Sequence, residues 1–162
     1  MRINFQLRQS AKRWKITEEG KMKYASEDLI HEHEGILFGL KILDEMVQLI
    51  RNGKSVPLND INEMINFLKL FADKCHHGKE EGILFPIMEK YGIQNKNGPI
   101  GQMLLEHVEG RKYISIMSES IQNNKIDNEI FIKGASNYIN LLKNHIMKEN
   151  NVLFPLGDKN IP

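Results

Sequence analysis

Two segments of the chain read almost alike: His76-His77-Gly78-Lys79-Glu80-Glu81-Gly82-Ile83-Leu84-Phe85-Pro86 and His145-Ile146-Met147-Lys148-Glu149-Asn150-Asn151-Val152-Leu153-Phe154-Pro155. Laid over each other they match His on His, Lys79 on Lys148, Glu80 on Glu149 and Leu-Phe-Pro on Leu-Phe-Pro. A His and a Glu four residues apart share one face of a helix, one turn from each other. That spacing suits two ligands of one metal ion. Its repetition suggests a site built from two halves of an internal duplication.

The surrounding sequence is helical throughout. Ser26 reads as an N-cap, with Glu27 and Asp28 favouring the helix N-terminus. Leu29, His33, Ile36, Leu37, Leu40, Val47 and Ile50 then follow at helical steps, up to a stop at Gly53 and Pro57. A second helix is expected to start near Asp60, where Asp60 and Glu63 resemble a capping box. Its stripe is Ile61, Ile65, Leu68, Ala72, His76, Glu80, Ile83 and Ile87, with Pro86 loosening the last turns and Gly92 ending it. Pro99 opens a third helix carrying Ile100, Met103, Leu104, His107, Arg111, Ile114 and Ser118. After a turn around residues 123–127, the fourth helix carries Phe131, Ala135, Tyr138, Leu141, Leu142, His145, Glu149 and Val152. Four such helices joined by short turns predict an all-α fold, an up-and-down antiparallel four-helix bundle. Residues 1–24 read as a basic N-terminal extension, with a short helical turn around residues 6–14 and Trp14 packed back on the domain; residues 25–162 read as the bundle.

Composition excludes several classes. Lys plus Arg is 22 and Asp plus Glu is 21, so no basic excess attracts nucleic acid or anionic lipid. No apolar run reaches the ~18 to 20 residues that span a bilayer. The first residues lack the apolar core of a secretory signal. The single Cys75 excludes an internal disulfide framework and suits a reducing, cytoplasmic setting. Phosphate loops, nucleophile elbows and zinc-knuckle cysteines are absent from the sequence.

The duplication extends to the other helices. Glu32-His33-Glu34 in the first echoes Glu106-His107-Val108 in the third. Each half is then a helix with one His followed by a helix with His-x-x-x-Glu. In a bundle the four stripes converge, so His33, His76, Glu80, His107, His145 and Glu149 are expected to point inward at similar depth. Two close carboxylates buried without a partner would each cost several kcal/mol. Four imidazoles and two carboxylates suit a pair of metal ions, two His on each and both Glu bridging, and the mixed N/O set favours iron or manganese. Within the second helix, Glu80 stands six residues before Pro86, as Glu149 does before Pro155, while Glu81 stands five. This frame selects His76 and Glu80 and leaves His77 and Glu81 exposed. His31 lies off the face of His33 and reads as a surface or outer residue.

With these residues in place the sequence resembles the hemerythrin-like proteins, the His-His-Glu cation-binding domain family, over residues of about 26 to 156. The resemblance implies a non-haem centre of two iron ions joined by an oxo or hydroxo group, where a small molecule binds. Oxygen-carrying members have a second His one turn after the third-helix His; here that position is Arg111. They end in His-x-x-x-x-Asp, whereas this chain has Glu149 at the shorter spacing, followed by Asn150. The sequence therefore looks closer to the four-His, two-Glu branch, which includes bacterial iron-centre repair proteins. The cysteine-bearing N-terminal domain of those repair proteins has no counterpart here, Cys75 lying mid-helix.

The expected function is binding or sensing of oxygen, nitric oxide or peroxide at the carboxylate-bridged centre. The alternatives are an enzyme removing peroxide or nitric oxide, and iron storage or delivery for iron-centre repair. The bland alternative is an interaction bundle without metal. The expected partner is a gaseous or peroxide ligand, not nucleic acid or membrane. Arg111 could line an access route, attract an anion or pair with a carboxylate, and Tyr138 could hydrogen-bond a bridging oxygen or simply fill the core.

Overall fold

The computed structural model describes residues 25–162. The features read from residues 1–24, the short helical turn and the packing of Trp14, lie outside the described residues. Among the described residues the chain forms four helical rods. The first is α1, Ala25–Arg51. The second is composite: α2 (Leu58–Phe67), a π-helical segment (Leu68–His77), a second π segment (Glu80–Leu84), then α3 (Phe85–Lys90). The third is α4, Pro99–Glu119. A two-residue hairpin, β1 (Ile121–Gln122) against β2 (Lys125–Ile126), reverses the chain. The fourth rod is α5 (Asn128–Lys148), a third π segment (Glu149–Leu153) and α6 (Phe154–Asn160). The α4 helix packs on α5, α5 on α1, and the first π segment on both α1 and α4, which closes the bundle.

Several boundaries have causes visible in the sequence. Gly53 and Gly92 take positive φ, 71° and 88°, where the first and second rods end. Asn123 and Asn124 take φ of 50° and 58°, the left-handed pair that a two-residue hairpin turn needs. The expected turn is thus a small hairpin, too short to leave an alternating pattern. Two expected caps differ. Ser26 sits inside α1, and its hydroxyl donates to the Asp158 carboxylate at 2.7 Å, tying the first rod to α6. The α2 helix starts at Leu58 behind Pro57, and no side chain caps it.

The π segments change which residues face inward. A π turn holds more residues than the 3.6 of an α turn, so it shifts the phase of everything after it. The expected inward residues Ile83 and Ile87 are therefore exposed, and Leu84, Phe85 and Met88 are buried instead. Val152 is exposed and Leu153 buried for the same reason. Both prolines sit immediately behind a π turn, near the start of the α-helix that follows. A proline has no N–H to offer the preceding turn, so the α ladder must break there anyway.

The apolar interior is in two parts. A larger cluster includes Ile36, Leu40, Leu68, Ala72, Ile114, Phe131, Tyr138, Leu142 and Ile146. A smaller one includes Leu29, Leu84, Phe85, Met88, Ile100, Met103, Leu153 and Phe154. Every rod contributes to both, and between them each carries its buried His. The two Leu-Phe-Pro tails floor that polar layer.

Asp127 is the N-cap of α5. Its Oδ1 accepts from the Glu129 and Ile130 N–H groups at 3.1 Å each. Asp127→Ala leaves both donors without that partner, and the expected cost is about 1 kcal/mol. Thermal unfolding checks it: the melting temperature should fall by roughly 2–4 °C.

Candidate metal centre

Five of the chain's six histidines lie in the layer between the two apolar clusters: His33, His76, His77, His107 and His145, each no more than 3% exposed. Glu80 and Glu149 lie among them at 0% exposure. The ligand atoms fall into two groups, with the members of each within 4.8 Å of one another: His33, His76, Glu80 and Glu149, and His77, Glu80, His107 and His145. Glu80 spans the two groups. Its Oε1 is 3.4 Å from His76 Nε2 and its Oε2 is 3.4 Å from His107 Nε2. Glu149 spans them too, with Oε2 at 3.2 Å from both His33 Nε2 and His145 Nε2.

The inward atoms lack ordinary partners. Nε2 of His33, His76 and His77, and all four carboxylate oxygens of Glu80 and Glu149, are buried with no hydrogen bond. Buried polar groups in folded proteins are nearly always paired, so a cluster of orphans aimed at common points is a cation site in outline. Imidazole nitrogens with carboxylate oxygens and no thiolate are a donor set suited to iron or manganese.

Four of the five outward nitrogens, by contrast, are held by hydrogen bonds, and the His77 Nδ1 is not. His33 Nδ1 is 2.7 Å from Asn150 Oδ1. His76 Nδ1 is 3.0 Å from Glu32 Oε2, and His145 Nδ1 is 3.0 Å from Glu106 Oε2. His107 Nδ1 is 2.7 Å from Glu81 Oε1. His77 Nδ1 makes a longer approach, 3.5 Å, to Asp73 Oδ1. An N–H on Nδ1 leaves the Nε2 lone pair facing the layer, which is how outer partners orient metal-binding imidazoles. Aromatic rings fix two of them further. Phe154 stacks on His33 at 5.5 Å between centroids and Phe85 on His107 at 5.9 Å.

All six residues singled out in the sequence come together here. Two others were misplaced. His77 was expected to be exposed, but it is 3% exposed and stacks on His107 at 3.8 Å. The first π segment ends at His77, and its slower angular advance lets adjacent histidines both face inward. Periodicity at 3.6 residues cannot show this; the doublet His76-His77 opposite a single His145 was the available signal. Glu81, also expected to be exposed, is a half-buried partner of His107. The even division of histidines that the sequence suggested is replaced by one group with two and one with three. Arg111 pairs with carboxylates, its Nε on Asp73 Oδ1 at 2.7 Å and its Nη2 on Glu81 Oε1 at 2.6 Å. Tyr138 is fully buried, and its hydroxyl has no partner among the described residues. Cys75 is exposed and His31 lies outside the layer.

Comparison with known proteins gives one family. The hemerythrin HHE cation-binding domain matches residues 24–157. The chain is similar to the iron-sulfur cluster repair protein YtfE of Edwardsiella ictaluri, 29% identical over 134 residues that cover 78% of this chain and 60% of that protein. It is also similar to the proteins of that name from Salmonella schwarzengrund and Salmonella paratyphi B. Each is 35% identical over 86 residues, 49% of this chain and 39% of theirs. The chain thus spans less than two thirds of the length of these relatives. No solved structure matches the chain significantly. Among the described residues no helix is long and apolar enough to cross a membrane.

The layer also sets proton affinities. Burial opposes the charge on His145, but the hydrogen bond with Glu106 and the nearby Glu149 carboxylate outweigh it and raise its pKa to about 9. His76 moves up in the same way, burial being outweighed by Glu80 and Glu32. His77 goes down to about 4, because burial dominates and His107 and His145 lie beside it. Glu80 stays well below the ordinary carboxylate range, its burial outweighed by His107 and His76. In protein stripped of metal, the His145 contribution is complete below its unfolded value of 6.5 and is lost as pH rises through about 9. The neutral His77 contribution is present above 6.5 and is lost as pH falls toward about 4. The melting temperature of the stripped protein should therefore peak near pH 6.5 and fall on both sides. A flat profile from pH 4 to 9 would contradict this account.

Proposed function

The chain belongs to the hemerythrin HHE cation-binding domain family, and on that premise we propose that its buried layer holds two iron ions and binds a small molecule there: oxygen, nitric oxide or peroxide. The observation that carries the reading is the set of four unpartnered carboxylate oxygens, facing imidazole nitrogens in a layer closed by apolar side chains on both sides. Buried carboxylates are expensive without cations, and two shared carboxylates suit two cations.

The residues divide the work. His33 and His76 would hold one ion, and His77, His107 and His145 the other, with Glu80 and Glu149 shared. Iron in such a site supplies one-electron chemistry and coordination positions open to a small ligand. Phe85, Phe154, Leu84 and Leu153 pack beneath the layer and exclude bulk water. The two-histidine side has one donor fewer, which leaves it the more open. A closed layer of this kind suits a diatomic or peroxide-sized guest rather than an organic substrate.

A second reading is iron storage or delivery toward repair of iron centres. The relatives named iron-sulfur cluster repair proteins favour it. It needs at least one ion that leaves readily, whereas a sensor needs both to stay.

Freshly purified protein from iron-supplied cells should contain two irons per chain and show a ferric absorption band. That band should bleach on reduction and change on exposure to oxygen or nitric oxide. Less than one ion per chain would leave an interaction bundle as the better account. His77→Leu should weaken one of the two ions by at least the ~10–100-fold that loss of an outer partner costs a metal site. The same change at the exposed His31 should leave both ions bound, as competition with a chelator would read.

A further inference from the structure

Away from the metal layer, at the end of the bundle where α1 runs out, three segments meet. The loop after α1, the start of α2 and the hairpin ahead of α5 frame an open cleft of about 380 Å³. That volume lies within the ~300–1,000 Å³ of ordinary small-molecule sites. Ile50 in its wall stands on the order of 25 Å along α1 from His33, at about 1.5 Å per residue. The cleft is therefore separate from the buried imidazoles.

Its lining has two characters. Ile50, Val56, Leu58, Ile61 and Ile126 are aliphatic, and Ile50 and Ile61 belong to the larger apolar cluster, so the floor is an outer face of the core. The rim is polar, and its charge has one sign. Lys54 and Lys125 line the cleft, and no carboxylate does. Neither ammonium group has a partner among the described residues. Asn124 and Asn128 add amide donors. The α2 N-terminus, which no side chain caps, adds backbone donors and the positive end of a ten-residue helix. The acids next along the chain are engaged elsewhere. Asp127 caps α5 through the Glu129 and Ile130 N–H groups, and Asp60 lines a different groove with Phe38 and Phe67. The hairpin wall is held in place: Ile126 pairs with Ile121, and the Asp127 N–H donates to the Ser120 carbonyl at 2.7 Å.

We propose that this cleft is a second ligand site, for a small amphiphilic anion: an aliphatic body lies on Ile50, Ile61 and Ile126, and a carboxylate or phosphate head meets Lys54 and Lys125. The reading follows from the division of the lining. An apolar body gains by covering the aliphatic floor. An anionic head gains charge-assisted hydrogen bonds from two ammonium groups that have no other partner. A cation would meet two like charges, and a neutral guest would leave both lysines unanswered. The site does not depend on metal in the buried layer.

The test titrates the full chain with octanoate and with octyl phosphate, reading affinity by calorimetry and position by backbone amide NMR. The tighter of the two identifies the head group. One molecule per chain is expected, with signals moving at residues 50–61 and 121–128. 1-Octanol, which keeps the tail, and acetate or inorganic phosphate, which keep the head, should each bind at least ~10-fold more weakly. Lys54→Met combined with Lys125→Met should weaken the anions by a similar factor and flatten the dependence on ionic strength. Lys69→Met combined with Lys143→Met, the same loss of charge at exposed positions elsewhere, should change neither. Ser55→Glu sets a carboxylate on the rim without touching the floor, and should abolish binding at an unchanged melting temperature. The proposal is overturned if neither anion binds, if octanol matches them, or if the Lys54 and Lys125 pair proves indifferent. It is overturned equally if the signals that move lie at exposed apolar residues elsewhere, such as Leu105 and Val152. Metal content, measured separately, decides the two-metal reading whichever way this test falls.

Discussion

The constraint on which the rest depends is the burial of two carboxylates, Glu80 and Glu149, in the same dry layer. Taking one such group out of water costs several kcal/mol, and two near each other repel as well. Nothing in an apolar bundle compensates for that. The surrounding design reads as a response: five imidazoles facing inward and an outer ring of acids and bases facing outward. The layer interrupts the apolar core, because each of its five histidines sits where a bundle would otherwise place a Leu or Ile.

The backbone bends to the same requirement. An unbroken α-helix presents one residue per turn to a narrow interior, and it could not turn both His76 and His77 inward. The π segment ending at His77 does so, and two further π turns begin at Glu80 and Glu149 themselves. Such turns weaken the regular ladder and are tolerated where a site needs them. The prolines that follow, Pro86 and Pro155, return the chain to α geometry, so Phe85 and Phe154 pack under the rings of His107 and His33.

Charge is arranged in shells around the layer. Innermost are Glu80 and Glu149, then the imidazoles, then Glu32, Asp73, Glu81 and Glu106, and outermost Lys79, Lys148 and Arg111. The outer ion pairs are partly exposed, and as surface bridges they are worth little stability on their own. Their weight lies in fixing carboxylates, which fix rings. Arg111 shows this best: one turn beyond His107, it serves two histidines at once through Asp73 and Glu81.

The sequence by itself determined the four helices, the duplication and six residues of the layer. Apolar steps of three and four residues report which face is buried, and repeated His-x-x-x-Glu pairs report what that face carries. It also pointed to the family through the same residues. What it could not determine was anything that depends on local departure from 3.6 residues per turn. The inward turn of His77, and the exposure of Ile83 and Val152 in place of Leu84 and Leu153, arise from hydrogen bonds one residue longer than an α-helix makes. The outer ring was equally hidden. His76 with Glu32, His145 with Glu106 and His33 with Asn150 are far apart along the chain. Only the packing of one rod against another decides which acid, or which amide, stands behind each imidazole. The opening repeat therefore revealed that the two halves match, and tertiary structure decided that the two groups of inward side chains do not.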